Sequence, residues 1–244
     1  MRLALPVLSL LLAACTALAP LPDVSGTSVV LLGEQHDAPH QPQLQQRWVA
    51  TLAEHGTLAA LALEMAEEGA STAGLPRDAT EAQVREALHW QPRAWPWERY
   101  APAVMTAVRA GVPVLGANLP QARQRAAMQD RTLDTLLGGP ALKAQQQAIR
   151  RGHCGMLPEA QVGPMTRIQV ARDRAMAQTL AAAARPGRTV LLIAGAGHVQ
   201  PDVGVPQHLP PALRVRAVEL PKEATGKDYC AEFRQQQMHM RPAE

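Results

Sequence analysis

Two short segments of the form Gly-x-x-His carry the strongest chemical signal in the chain. Gly33 precedes His36 by three positions, and Gly195 precedes His198 by three positions. Both segments follow apolar runs, and another apolar run ends on Glu64. Imidazole and carboxylate groups suit first-row transition metals. His36, Glu64 and His198 therefore predict a site for iron, or for a divalent ion such as zinc or manganese.

Other polar residues near these turns are weaker candidates. Glu34 could act as a general base on a metal-activated water, or could cap the helix that follows. Asp37 and His40 are typical of a solvated loop, and Asn118 of a turn. Any one histidine is more often structural than functional, so the prediction of a site rests on the convergence of several strand ends.

An aromatic cluster stands out because only 3% of the residues are aromatic. Trp90, Trp95, Trp97 and Tyr100 fall within eleven residues. Such a segment could stack on a flat ligand, and a tyrosine phenolate could reach ferric iron. The alternative is a loop that the tryptophans anchor to the core.

Two cysteines follow the N-terminal region. In an oxidising compartment, an even pair such as Cys154 and Cys230 favours a disulfide over two separate thiols. His153 lies beside Cys154 and is a further candidate ligand. The C-x-x-C-H arrangement of covalent haem attachment is not present there.

The elements that must position these residues alternate between strand and helix. Helices separate short apolar runs, which predict strands at 28–32, 58–63, 112–115, 189–194 and 213–220. This pattern predicts an α/β fold with a mainly parallel sheet flanked by helices, in which ligands bind beyond the carboxyl ends of the strands. A polar helical stretch at about 121–185 is too long for one crossover, so we expect a helical insert between the third and fourth core strands. The domain spans 28–220, and 221–244 is a C-terminal tail.

Composition narrows the function classes. The 244 residues carry a net charge of +3, which does not favour nucleic acid as a partner. With a single Phe, the core must be built from Leu, Val, Ala and Met. The sequence contains no GxGxxG, P-loop or GxSxG motif, so nucleotide binding and serine hydrolysis have no support.

The N-terminus predicts export and lipid attachment. Residues 1–14 have a basic start and an apolar run too short to span a bilayer, as in a signal peptide. The Leu-Ala-Ala-Cys sequence at 12–15 matches a lipobox, so Cys15 would carry acyl chains such as palmitate and anchor the protein to the membrane. Thr16, rather than Asp, favours the outer membrane. Residues 15–27 would be a flexible tether.

Ordered motifs complete the sequence pattern. They are Gly33-Glu34-Gln35-His36-Asp37, Ala62-Leu63-Glu64-Met65, Trp97-Glu98-Arg99-Tyr100, Asn118-Leu119-Pro120, His153-Cys154-Gly155, Gln169 to Ala177, and Gly195-Ala196-Gly197-His198. Over nearly all of residues 28–220 the chain resembles the ChaN-like lipoproteins, a haem-binding-uptake group within the Tiki and erythromycin-esterase-like superfamily.

The resemblance implies an α/β core with an added helical part and a haem-associated or iron-regulated surface lipoprotein. It also implies homodimers that hold haem between subunits, and a tyrosine ligand to iron. Tyr100 is the candidate ligand, with Trp97 and His153 as further haem contacts; Tyr229 lies outside the motifs. Metal-dependent hydrolases of the superfamily use the paired Gly-x-x-His turns and the glutamate.

Two functions are thus in competition. The first is a haem- or iron-binding lipoprotein of the bacterial envelope that serves uptake. The second is a metal-dependent hydrolase built on the two Gly-x-x-His turns and Glu64; an envelope scaffold with a vestigial site is a third. The lipoprotein start and the ordered motifs favour the first.

Overall fold

A parallel sheet forms the centre of the computed structural model, which describes residues 21–240. The strands are β1 (Val29–Glu34), β2 (Leu58–Glu67), β3 (Val114–Asn118), β4 (Thr189–Gly195) and β5 (Val215–Glu219). Their order is β3-β2-β4-β1-β5, and each pairing between these strands is parallel. The predicted α/β class is confirmed.

Helices connect the strands and cover the sheet. They are α1 (Gln41–Glu54), α2 (Glu81–Ala87), α3 (Trp97–Arg109), α4 (Gln121–Gln129), α5 (Gly139–Gly152), α6 (Glu159–Ala183) and α7 (Tyr229–Met240). The chain forms α4, a 3₁₀ turn, α5 and α6 between β3 and β4, which confirms the predicted helical insert. The long α6 contacts both α4 and the sheet, so it also serves as the crossover helix.

Both faces of the sheet are buried in apolar layers. Leu32 of β1 packs in one cluster with Trp48 of α1 and Val104 of α3. Its neighbour Leu31 packs on the opposite face with Met176 of α6. Successive strand residues point to opposite faces, so continuous apolar strands are what a sheet covered on both sides requires.

Strand register brings the predicted site residues to one edge. Glu34 at the end of β1 is level with Gly195 at the end of β4. On the other side of β4, Leu63 is level with Ile193, so Glu64 comes next to the same strand end. We call this the carboxyl edge, where Glu34, Glu64 and Gly195 lie.

The aromatic segment differs from its predicted form. The sequence predicts a loop over 90–97 and a helix from Tyr100, but α3 already begins at Trp97. Pro96 stands at its N-cap and Glu98 in its first turn, where a carboxylate favours the positive helix end. The three extra residues fix Trp97 in the core.

The C-terminal segment folds back on the domain. It was expected as a tail over 221–244, yet it returns to the loop after β1 before α7 begins at Tyr229. Cys230 forms a disulfide with Cys154 just beyond α5, with the two Cα atoms 5.6 Å apart. We call residues 221–233 the strap.

The predicted signal peptide at 1–14 and Cys15 lie outside the described residues. Of the predicted tether, the described part includes Leu21 and Val24, which pack against the core beside α1. Within 21–240, no helix combines the length and apolar character needed to cross a membrane.

Candidate functional site

Glu34 organises the exit of β1. Its side chain is buried, and one carboxylate oxygen accepts hydrogen bonds from the Tyr100 hydroxyl at 2.7 Å and from Nδ1 of His36 at 2.7 Å. The other oxygen accepts from the Gln45 amide. Because every one of these contacts orients a neighbour, Glu34 is a positioning residue here. Its predicted role as a general base would require it to release His36.

His36 stands at the boundary between the interior and solvent. Its side chain is 42% exposed, and its Nε2 lies 3.9 Å from Glu64 Oε2. Trp95 packs against the ring edge-on, with centroids 4.9 Å apart. Burial lowers the His36 pKa, but the hydrogen bond to Glu34 and the charge of Glu64 more than offset this, so the pKa is raised. The His36 ring therefore holds its proton more strongly than a free imidazole does.

A glycine makes room for this ring. A Cβ on Gly195 would lie 2.8 Å from His36 Nε2 and 3.5 Å from Glu64 Oε2. At Gly197, two positions on, a Cβ would meet nothing within 4 Å. Gly195, the first glycine of the second Gly-x-x-His segment, therefore makes room for the His36 ring. This is separate from the backbone freedom that glycine gives to the turn.

Glu64 lies between the two histidines. Its Oε2 accepts a hydrogen bond from the Gly195 backbone N–H at 2.7 Å, and its Oε1 lies 3.3 Å from Nε2 of His198. Burial would raise the Glu64 pKa, but the charges of His198 and His36 hold it far below its usual value. Asn118 at the end of β3 donates to the Glu64 carbonyl at 2.9 Å and so fixes its backbone.

His198 is held from behind by a residue that the sequence reading missed. Its Nδ1 lies 2.5 Å from Oδ1 of Asp173 on α6, and both side chains are buried. Burial opposes the charged ring, but the carboxylates of Glu64 and Asp173 raise the His198 pKa to about 10. Burial raises the pKa of Asp173 to about 6. Gln169 approaches the same ring within 3.1 Å.

The three predicted metal ligands are therefore brought together, as a hydrogen-bonded set. Each imidazole has Nδ1 against one carboxylate and directs Nε2 towards Glu64. Two buried acceptors beside them, Asn118 Oδ1 and Asp173 Oδ2, have no partner. In the described part of the chain, no three or more His, Cys, Asp or Glu side chains are arranged to hold a metal. A metal at His36, Glu64 and His198 stays a prediction.

The structure does not present Tyr100 or Trp97 to a ligand. Tyr100 is 1% exposed, its hydroxyl donates to Glu34, and burial together with the Glu34 charge raises its pKa far above the usual value. Trp97 is also buried, and its indole N–H donates to Glu81 at 2.7 Å. Both side chains are enclosed in this structure, so their contact with haem stays a prediction. Trp95 is half-buried and lies beside His36.

The strap completes the rim of the site. Tyr229 is 48% exposed, and its hydroxyl lies 3.0 Å from Asp37 and 3.3 Å from the Gln35 amide. Lys227 pairs with Asp37 at 2.9 Å. The hydroxyl of Tyr229 thus touches the residues on either side of His36. No motif pointed to Tyr229; its only sequence signal was its position beside Cys230.

Two other candidates lie around this rim. His40 is largely exposed, and its ring and backbone N–H bind the strap carboxylate Glu223, so it fastens the strap. His153 sits at the end of α5, with Nδ1 2.8 Å from the Ile149 carbonyl and its ring edge-on to Phe233 at 6.0 Å. His153 therefore contacts the strap rather than the carboxylate cluster.

Comparisons with known proteins identify the family and the fold of the chain. The family model described as haem-binding uptake, Tiki superfamily, ChaN matches residues 21–209, and the chain belongs to this family. Among solved structures, the chain resembles "Cofacial heme binding to ChaN of Campylobacter jejuni" with a TM-score of 0.66 and 23% identity, covering 81% of this chain and 83% of that one. This likeness shows the fold.

A second solved structure, of the type III effector HopBA1, matches with a TM-score of 0.43 and 18% identity over 82% of this chain and 79% of that one. That similarity is too low to support an argument. A comparison with curated proteins gives no match.

Proposed function

We propose that the protein binds haem at the rim of the carboxyl edge, where His36, Trp95 and Tyr229 surround the strand ends. Membership of a haem-binding-uptake family supports the ligand class. The observation that carries the location is the half-exposed His36, packed edge-on against Trp95 with an exposed phenol beside it. A flat apolar ligand gains from aromatic contact, and an imidazole or phenol can ligate its iron.

Tyr229 is the proposed iron ligand. It is the exposed one of the two tyrosines, whereas the Tyr100 hydroxyl is enclosed by its bond to Glu34. Asp37 can accept the phenol proton, because the two groups are already within hydrogen-bond distance. Lys227 is placed to pair with a haem propionate if it releases Asp37. Bound iron would supply the redox and ligand-exchange chemistry; the residues of this chain position it.

We also propose where the protein acts in the cell and in which oligomeric state. A lipid on Cys15 would tether the protein to the outer membrane of a bacterial envelope, and haem capture there would serve uptake of haem or iron. A homodimer that encloses the haem would shield a ligand bound at so open a rim. Replacing Cys15 with Ser should release the protein from membranes, and sedimentation with and without haem should report dimer formation.

Haem titration of the purified protein tests the proposal. We expect a saturable shift of the Soret band in the wild-type protein. Tyr229→Phe should remove the phenolate-to-iron charge-transfer band and weaken binding about tenfold, a loss of ~1.4 kcal/mol. Tyr100→Phe is the comparison variant: its hydroxyl is enclosed by its bond to Glu34, so the charge-transfer band should remain. Absence of any shift in the wild type would refute haem binding, whereas the reverse order of the two variants would refute only the choice of ligand.

A metal-dependent hydrolase is the second candidate. The specific observation in its favour is Glu64 between the Nε2 atoms of His36 and His198, with a carboxylate behind each ring. A divalent ion held there would lower the pKa of a bound water to about 7. Elemental analysis after incubation with zinc or manganese tests this. Stoichiometric metal that is lost in the His36→Ala, His198→Ala double variant would support the hydrolase.

A further inference from the structure

A large cavity lies at the opposite end of the sheet from the site. Its volume is about 650 Å³, within the usual range for small-molecule pockets. The walls come from residues 21–28 before β1, the C-terminal end of α1, the loop between α6 and β4, and Arg214 just before β5. We call this end of the sheet the amino edge. None of the residues proposed above to bind haem lines the cavity.

Positive charge dominates the lining. Arg185, Arg188 and Arg214 line the cavity, against one carboxylate, Asp23. Hydrogen bonds from the Ser25 side chain and from the Ser25 backbone N–H lower the pKa of Asp23 and so favour its charged form. With three cations and one anion, the cavity favours an anionic ligand.

The arginines are anchored in place and keep donors for a ligand. Arg185 donates through Nη1 to carbonyls at the end of α6, Arg188 through Nη2 to the Leu58 carbonyl, and Arg214 through Nε to the Gly26 carbonyl. Each guanidinium has five N–H donors, so these bonds fix the head group and leave donors for phosphate oxygens. The Arg185 bonds also offset the partial negative charge at the carbonyl end of α6.

One wall of the cavity is apolar. Leu21, Trp48 and Leu52 line it, and Leu21 packs against the core cluster that contains the other two. A purely inorganic anion would gain nothing from this wall. A ligand with a charged head and a hydrocarbon portion would use both halves of the cavity.

We propose that the cavity binds the phosphodiester headgroup of an anionic glycerophospholipid. The inference that this ligand is a membrane lipid rests on the lipid anchor proposed at Cys15. Leu21 lies six residues after Cys15, and a fully extended chain of that length reaches only about 20 Å. A lipid on Cys15 would hold the cavity close to the bilayer surface, where each arginine is attracted to anionic headgroups.

Calorimetric titration of the full chain carrying Cys15→Ser tests the proposal without a competing acyl chain. The probes are monomeric dihexanoyl phosphatidylglycerol, dihexanoyl phosphatidylcholine and inorganic phosphate. Phosphatidylglycerol should bind saturably, and more weakly as salt is raised. The Arg188→Gln, Arg214→Gln pair should weaken it about tenfold. Arg93→Gln, an exposed arginine between α2 and α3, is the matched control and should bind normally.

Each alternative result is decisive. Binding of phosphate as tight as that of phosphatidylglycerol would overturn the lipid assignment, and equal binding of the two phospholipids would overturn the role of charge. If the Gln pair fails to fold, the Arg188→Lys, Arg214→Lys pair retains charge and should retain most of the affinity. No phosphatidylglycerol binding refutes the cavity proposal alone, since haem titration and membrane fractionation test the proposed function separately.

Discussion

Nδ1 of His198 lies 2.5 Å from the carboxylate of Asp173, a fully buried residue on the crossover helix α6. Glu64 from the sheet therefore contacts one ring nitrogen of His198, and Asp173 from the helical layer contacts the other. The orientation of His198 at the carboxyl edge depends on how α6 packs against the sheet.

Asp173→Ala should lower the free energy of unfolding by about 3 kcal/mol, because it leaves a buried charged ring without one of its partners. Urea denaturation measures this. Glu159→Ala is the control: Glu159 also pairs with a cation, Arg150, but it is exposed and its loss should not change the urea midpoint detectably. Similar effects of the two substitutions would contradict the structural role of Asp173.

Stability should fall as the pH is raised above neutrality. His198 has a pKa raised from 6.5 to about 10, so the folded state keeps its proton at pH values where the unfolded state has lost it. This contribution is complete below pH 6.5 and is lost as the pH rises towards 10. Unfolding measured between pH 7 and 9.5 should approach the one-proton slope of about 1.4 kcal/mol per pH unit. Glu64→Gln should flatten that slope; an unchanged slope would assign it to another group.

Gly195→Ala should displace His36 with little loss of stability. The new Cβ would come within 2.8 Å of a ring that is 42% exposed and can move outward. Imidazole NMR signals of His36 should shift, and haem affinity should fall about tenfold. Gly197→Ala adds the same methyl group in open space and should leave both measurements unchanged. Equal behaviour of the two alanines would show that contact with Gly195 does not hold the ring.

Removing the disulfide should loosen the strap selectively. Cys154 and Cys230 are 76 positions apart, a loop for which the chain-entropy model gives about 4.5 kcal/mol as an upper value. The Cys154→Ser, Cys230→Ser pair should lower stability by about 2–4 kcal/mol. Hydrogen exchange should rise in residues 221–233 more than in the strands. Uniform acceleration across the domain would instead mean that the bond stabilises the whole fold.

Much of the fold could be predicted because its signals are local. Buried parallel strands are continuous apolar runs, and the helices between them show their own periodicity. Boundaries were less certain: α3 begins at Trp97 because Pro96 and Glu98 start a helix inside a segment whose Pro and Trp content is typical of a loop. Helix α7 gathers few apolar residues on one face, so nothing local indicated that the segment after β5 would return to the domain.

Part of the candidate site could also be predicted from local sequence signals. His36, Glu64 and His198 follow strand ends, and parallel register brings strand ends together. Asp173 could not be found in this way, since a single aspartate in a long helix gives no sign of which neighbour it meets. The contact of Tyr100 with Glu34 could not be predicted either, because composition marks an aromatic residue without showing whether its hydroxyl faces Glu34 or solvent.

The disulfide between Cys154 and Cys230 also sets an order of events during biogenesis. Cys230 follows all five strands in the sequence, so the bond can form only after the sheet-forming chain has been synthesised. A precursor in a reducing cytoplasm would lack this covalent closure, and the phenol of Tyr229 would not yet be held beside His36. If the protein is exported and binds haem as proposed, the rim would be completed only on arrival in an oxidising compartment, so the precursor would not sequester haem before export.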